Sequence, residues 1–119
     1  MPHTPFEQLT ALEAYLRERF GGRFTVETST VSIGTSLTKA IEHDFERMGL
    51  TFINIGTNDI HLTPSRDATS SVGVLLGANG GFLSLTARDD LILVGWDWFA
   101  VASSSPTDLL VFNVKRYAD

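Results

Sequence analysis

The chain has 119 residues, a formal net charge of −5 and no cysteine, with 43% of its residues hydrophobic and 19% charged. This is the length of one ordinary domain, with enough chain to bury a core of its own. The acidic balance, with a pI near 5.0, speaks against nucleic-acid binding through phosphate neutralisation. The missing cysteines exclude disulfides, thiolate metal sites and cysteine nucleophiles.

The first pattern in chain order is helical. Thr4-Pro5-Phe6-Glu7 reads as a capping box with proline in the first helical position. Gly21-Gly22 supplies the stop, since glycine enters the left-handed region cheaply. Between them Phe6, Leu9, Leu12, Leu16 and Phe20 fall within an arc of about 120°, with Glu13 at one edge. Residues 1–22 are therefore expected to form one amphipathic helix, whose stripe packs either on its own domain or on a partner.

From residue 23 to 119 the texture is that of a β-domain. Short runs rich in Val, Ile, Thr and Phe alternate with Gly, Ser, Asn, Asp and Pro clusters about every 8–12 residues, the spacing of a sandwich or barrel. The expected strands are 23–28, 31–34, 37–41, 48–55, 59–63, 72–77, 81–87, 91–94, 98–103 and 109–116. No long helical pattern separates them, so parallel βαβ units are not expected. The stretch 39–48 is ambiguous, because Ile41, Phe45 and Met48 also have helical spacing. No apolar run approaches the roughly 20 residues of a membrane span, and the N-terminus lacks the layout of a secretion signal. The expected fold is a mainly β, antiparallel, jelly-roll-like sandwich preceded by one helix.

Asn79-Gly80 is the strongest short-range hairpin signal, asking for positive φ at both positions. A two-residue loop there would pair Leu76 with Leu83, Val74 with Leu85 and Val72 with Ala87, all on one apolar face. Leu83 and Leu85 are then core residues, and Ser84 faces out.

Chemistry-bearing motifs are few. His3, His43 and His61 have no zinc-like spacing to a third ligand and read as solvated surface residues. There is no Gly-x-Ser-x-Gly elbow, and the glycine-rich stretch 77–81 lacks the Lys-Ser/Thr and following helix of a phosphate cradle. Asp89-Asp90 reads as a solvated turn. No catalytic residue, cofactor or metal is expected. The most pointed feature is Trp96-Asp97-Trp98: an extended backbone puts both indoles on one face, as core or interface anchors or, less favoured, as a sugar-stacking platform.

From residue 31 onward the chain resembles small virion proteins of tailed phages. The resemblance is carried by Val31-Ser32-Ile33-Gly34-Thr35-Ser36 and by Arg47-Met48-Gly49-Leu50-Thr51-Phe52-Ile53-Asn54-Ile55-Gly56-Thr57-Asn58-Asp59-Ile60-His61-Leu62. Gly80-Gly81-Phe82, Ala100-Val101-Ala102-Ser103-Ser104 and Thr107-Asp108-Leu109-Leu110-Val111 continue it. The resemblance implies a strand over 37–41 with a turn after it, and a capsid decoration (cement) protein on the outer shell of the virion that clamps neighbouring copies of the major capsid protein. No enzyme activity is expected, since no nucleophile–base pair or ligand cluster stands at workable spacing. Many weak contacts at repeated sites would act together. Exposed sheet edges and the helical stripe make a homotrimer or homodimer the expected state. The expected partner-interface residues are Phe6, Leu9, Leu12, Leu16, Phe20, Trp96 and Trp98, with neither nucleic acid nor membrane as partner. A tail, neck or fibre protein and a carbohydrate-binding module are the alternatives.

Overall fold

The computed structural model of the protein describes residues 11, 12, 14, 15, 18, 19, 23–66 and 72–117. The six described residues before residue 23 have helical backbone, but the expected helix as a unit, with Phe6, Leu9, Leu16 and Phe20, lies outside the described residues. Leu12 is described and is 51% exposed.

Among the described residues eight strands run β1 (Arg23–Ile33), β2 (Thr38–Ile41), β3 (Arg47–Asn54), β4 (Ile60–Thr63), β5 (Val74–Leu76), β6 (Phe82–Thr86), β7 (Trp98–Ala102) and β8 (Thr107–Tyr117). They form two four-stranded sheets, ordered β1-β8-β3-β6 and β2-β7-β4-β5. Every pairing is antiparallel, and the pairs nest: β1 with β8, β2 with β7, β3 with β6, β4 with β5. The expectation of a mainly β chain with antiparallel sheets is met.

Strict alternation builds the shared core. On β3, Leu50, Phe52 and Asn54 are buried, and their ladder partners on β8, Asn113, Val111 and Leu109, are buried with them. The second sheet answers with Ile60, Leu62, Leu76, Trp98, Ala100 and Ala102. Alanines on β7 leave room for the large rings, and Phe52 meets Trp98 with centroids 5.6 Å apart. Burial of this continuous apolar layer is the dominant stabilising term.

The structure corrects four expectations. Runs 23–28 and 31–34 are a single strand, because Ser29 and Thr30 continue the ladder with Val111 and Leu110 unbroken. Run 91–94 is no strand but the 3₁₀ helix Leu91–Gly95, entered from a helical turn over Ala87–Asp90. Thr86 starts that turn: its amide donates to Asp90 Oδ2, and the Asp89 amide donates to its hydroxyl.

The third correction concerns the hairpin. Asn79 and Gly80 do have positive φ, 60° and 120°. Yet β5 pairs with β4 and β6 with β3, so the turn joins opposite sheets and the pairing of Leu76 with Leu83 does not occur. The Asn79 and Gly80 amides instead donate to the carbonyls of Gly56 and Asn54. Leu85 is buried, Leu83 packs on the core and Ser84 is exposed, as alternation required, whereas Val72 and Val74 are 50% and 45% exposed. The fourth correction, the tryptophan pair, belongs to the site.

Candidate functional site

One end of the two sheets is shaped by an irregularity in β3. The ladder with β8 shifts between Arg47 and Gly49, leaving Met48 as the extra residue of a bulge. A bulge re-aims the side chains on its near side, and Arg47 turns inward to 2% exposure. Its guanidinium donates to Asn113 Oδ1 at 2.9 Å and to the carbonyls of Val94 at 3.0 Å, Trp96 at 3.3 Å and Glu42 at 2.5 Å. One cation thus ties the loop after β2, the loop before β7 and the centre of the first sheet. Burial pulls the guanidinium below its ordinary value, while Asp44, Asp97 and Glu27 pull it back; it stays charged at any working pH.

Asp44 completes the brace. Its amide donates to the Gly95 carbonyl, its carboxylate accepts the Glu46 amide, and Lys115 Nζ lies 3.4 Å from Oδ2. Burial works to raise the Asp44 carboxyl, but the Glu46 amide and the Lys115 ammonium outweigh it and hold it below its ordinary value. Lys115 is raised in turn, through its hydrogen bond to Asp44 and the charge of Glu27.

On this braced platform the two tryptophans part company. Trp98 opens β7, is 3% exposed, and donates from Nε1 to the Leu93 carbonyl at 3.0 Å. Trp96 caps the 3₁₀ helix instead of lying in a strand, and is 43% exposed. The expected shared face fails because the strand begins only at Trp98, while Trp96, its amide tied back to the Leu93 carbonyl, closes the 3₁₀ helix. Trp98 is a core residue; Trp96 stands at the surface with its ring edge-on to Phe45, which is 63% exposed, centroids 6.4 Å apart.

His43 flanks Phe45 at 5.6 Å, and His43, Phe45, Trp96 and Asp97 line a shallow cavity of about 200 Å³. Asp97 Oδ1 accepts the His43 amide at 2.6 Å and lies 3.4 Å from His43 Nδ1. Desolvation works to raise Asp97, but that amide and the nearby Lys39 hold it below its ordinary value. Glu42 Oε1 is 3.6 Å from the same imidazole nitrogen. Among the described residues Glu42, His43 and Asp97 offer donor atoms within 4.8 Å of one another and could hold a metal ion. Glu42 is already engaged by Lys39 at 3.0 Å.

Sequence reading placed His43 on the surface, where it is, but missed its meeting with Asp97 across 54 positions. No spacing rule covers such a pair. The one available signal was a carboxylate set between two indoles. Of the other histidines, His3 lies outside the described residues. His61 sits on the outer face of the second sheet between Val101 and Leu75, with a buried Nδ1 that has no hydrogen-bond partner among the described residues.

At the opposite end of the sheets Asn54, Gly56, Asn58, Asp59, Ser104 and Thr107, from the stretches that carry the phage-protein resemblance, tie loops together. Asn54 is fully buried and donates to the carbonyls of Asn58 at 2.7 Å and Leu76 at 3.0 Å, while its Oδ1 accepts the Gly56 amide. Asn58 holds Ser104 and Ser105, and Asp59 accepts the Ala78 amide. Gly56 has to be glycine: a Cβ there would stand 1.6 Å from Thr107 Oγ1. Comparison with protein-family models, curated proteins and solved structures finds no match for this chain.

Proposed function

We propose that this protein is a structural component of a tailed-phage virion, a decoration protein that sits on the outer capsid surface and clamps neighbouring copies of the major capsid protein. The observation that carries the reading is the Phe45–Trp96 pair: two large exposed aromatics on loops pinned by a buried arginine. Rigid aromatic anchors of this kind dominate binding energy at protein interfaces, because little entropy is lost on docking. The finer fold we propose is a jelly roll. Its support is the nesting of β1–β8, β2–β7, β3–β6 and β4–β5, which is one long hairpin rolled so that alternate pairs fall in opposite sheets.

The decisive experiment is mass spectrometry and cryo-electron microscopy of virions of the phage that encodes the chain, followed by rebinding of the purified protein to stripped shells. The reading expects many copies on the shell, and at least tenfold weaker rebinding for Phe45→Ala or Trp96→Ala with the melting temperature kept. Absence from the shell, or a place in the tail or neck alone, defeats it. A second reading as a carbohydrate-binding module is favoured by one arrangement, the Trp96 indole beside the Asp97 carboxylate in the same cavity. Glycan binding by the isolated protein, lost in Trp96→Ala, would select it.

A further inference from the structure

The two sheets present very different outer faces. On β2-β7-β4-β5, the outward residues of β7 are covered: Phe99 and Val101 are 5% and 3% exposed, and Lys39 and Arg66 lie over the Phe99 ring at 5.7 and 5.1 Å. On β1-β8-β3-β6, three successive ladders cross all four strands, from Val26 to Thr86, from Thr28 to Ser84 and from Thr30 to Phe82. Their apolar members are Val26, Val114, Phe112, Leu110, Ile53 and Phe82; the rest are threonine, serine and glycine. Among the described residues charge lies at the margins: in the Arg116–Glu46 ion pair, at Asp108 opposite Ser32, and in the Asp89 carboxylate on the Thr86 hydroxyl at the β6 corner. A solvated sheet face normally alternates to polar and charged residues, and a contiguous apolar patch marks a contact surface. Val26 and Phe82 on the edge strands are 61% and 68% exposed, and Val114, Phe112, Leu110 and Ile53 between them are half-buried, so no described element packs across the face.

We propose that this uncharged face receives the N-terminal segment of a second copy of the chain, so that exchange of segments closes a homo-oligomer. The segment leads directly into β1, an edge strand of this same sheet. Its stripe at Phe6, Leu9, Leu12, Leu16 and Phe20 matches the face in chemistry, apolar against apolar. As a helix from residue 4 to 20 it would be about 25 Å long, enough to cross four strands spread over about 15 Å. Leu12, the one stripe residue among those described, is 51% exposed within its own chain, which points to docking between copies rather than onto its own sheet. Exchange of an identical element is a low-cost route to a closed assembly. The proposal does not depend on a virion role.

The absence of native cysteine makes the test clean. Full-length Leu12→Cys and Thr51→Cys chains, mixed and oxidised, are expected to give a mixed disulfide dimer, whereas Leu12→Cys with Ser104→Cys on the far loop gives none. The Thr28→Lys/Ser84→Lys variant, which sets charge into the face at exposed positions, should weaken self-association at least tenfold in sedimentation while keeping the wild-type circular dichroism. Should that variant fail to fold, the cross-linking result decides alone. A wild-type chain monomeric at tens of micromolar would overturn the proposal. So would an oligomer indifferent to the two lysines, or a Leu12→Cys/Thr51→Cys double variant that closes within one chain at a concentration-independent yield.

Discussion

At one end of the sheets a neutral amide ties the loops; at the other a buried cation does. Asn54 gathers the 55–59 loop and the end of β5 with donors and an acceptor in one side chain, and no charge is involved. Arg47 gathers the 42–46 and 93–97 loops with donors only, so every group that it meets is an acceptor, and the carboxylates of Asp44, Asp97 and Glu27 stand around it. The neutral tie produces an end of interlocked polar loop side chains with Ile55 exposed among them. The charged tie raises aromatic rings into solvent and surrounds them with carboxylates. The difference teaches that the same task, satisfying buried loop carbonyls, leaves very different surfaces depending on whether the tie carries charge.

The largest expected effect tests the cation. Arg47→Met keeps the volume but strips donors from the Val94, Trp96 and Glu42 carbonyls, and should cost about 4 kcal/mol in urea unfolding. Asn54→Leu leaves the Leu76 and Asn58 carbonyls and the Gly56 amide unpaired, and should cost about 3 kcal/mol by the same measurement. If Asn54→Leu proved nearly neutral, the amide would be incidental and the comparison would collapse.

Acid should separate the two ends. Asp44 and Asp97 are held below their ordinary value of 3.8, so their contribution is complete above that pH and is lost as the pH falls through the lowered values. Amide exchange in 42–47 and 93–97 should therefore accelerate below about pH 3.8, while the Asn54, Gly56, Asn79 and Gly80 amides, which donate to neutral oxygens, stay protected. Equal acceleration at both ends would mean that the carboxylates are not what distinguishes them. The smallest effect belongs to the exposed ring: Trp96→Ala should change stability by less than about 0.5 kcal/mol, read from thermal unfolding, since the indole is a surface group.

Much of the fold could be read from the residues, and the failures share a cause. Alternation placed Leu83 and Leu85 on the core side of β6 and Ser84 outside, correctly, because period two follows from the pleat alone. The Asn79-Gly80 dipeptide specified its own dihedrals correctly as well. What it could not specify was where the flanking strands go, since that is decided by the distant Gly56, Asn54 and Asp59 that capture the turn. The tryptophans failed similarly. Their shared face required a strand, but 91–95 winds into a 3₁₀ helix begun by side chains at Thr86, Asp89 and Asp90. The site was hidden for the strongest form of this reason. Arg47 is aimed inward by a bulge, and its acceptors come from three separate stretches of chain.

The outermost of the nested pairs has a consequence for how the chain reaches its fold. β1 and β8 pair along their whole length, from Arg23 with Tyr117 to Ile33 with Thr107, so the first strand has no partner until the last one is present. β2, the edge of the second sheet, likewise has no partner until β7 is present, whereas β3 can pair with β6 before β8 arrives. Such pairings carry a loop-closure cost before any contact rewards it, which places folding in the millisecond-to-second range typical of non-local β topologies. A circular permutant opened at the exposed Asn79-Gly80 turn, with a short linker joining Tyr117 directly to Arg23, would make β1 and β8 neighbours in sequence. It should fold faster than the natural order while unfolding at a similar rate.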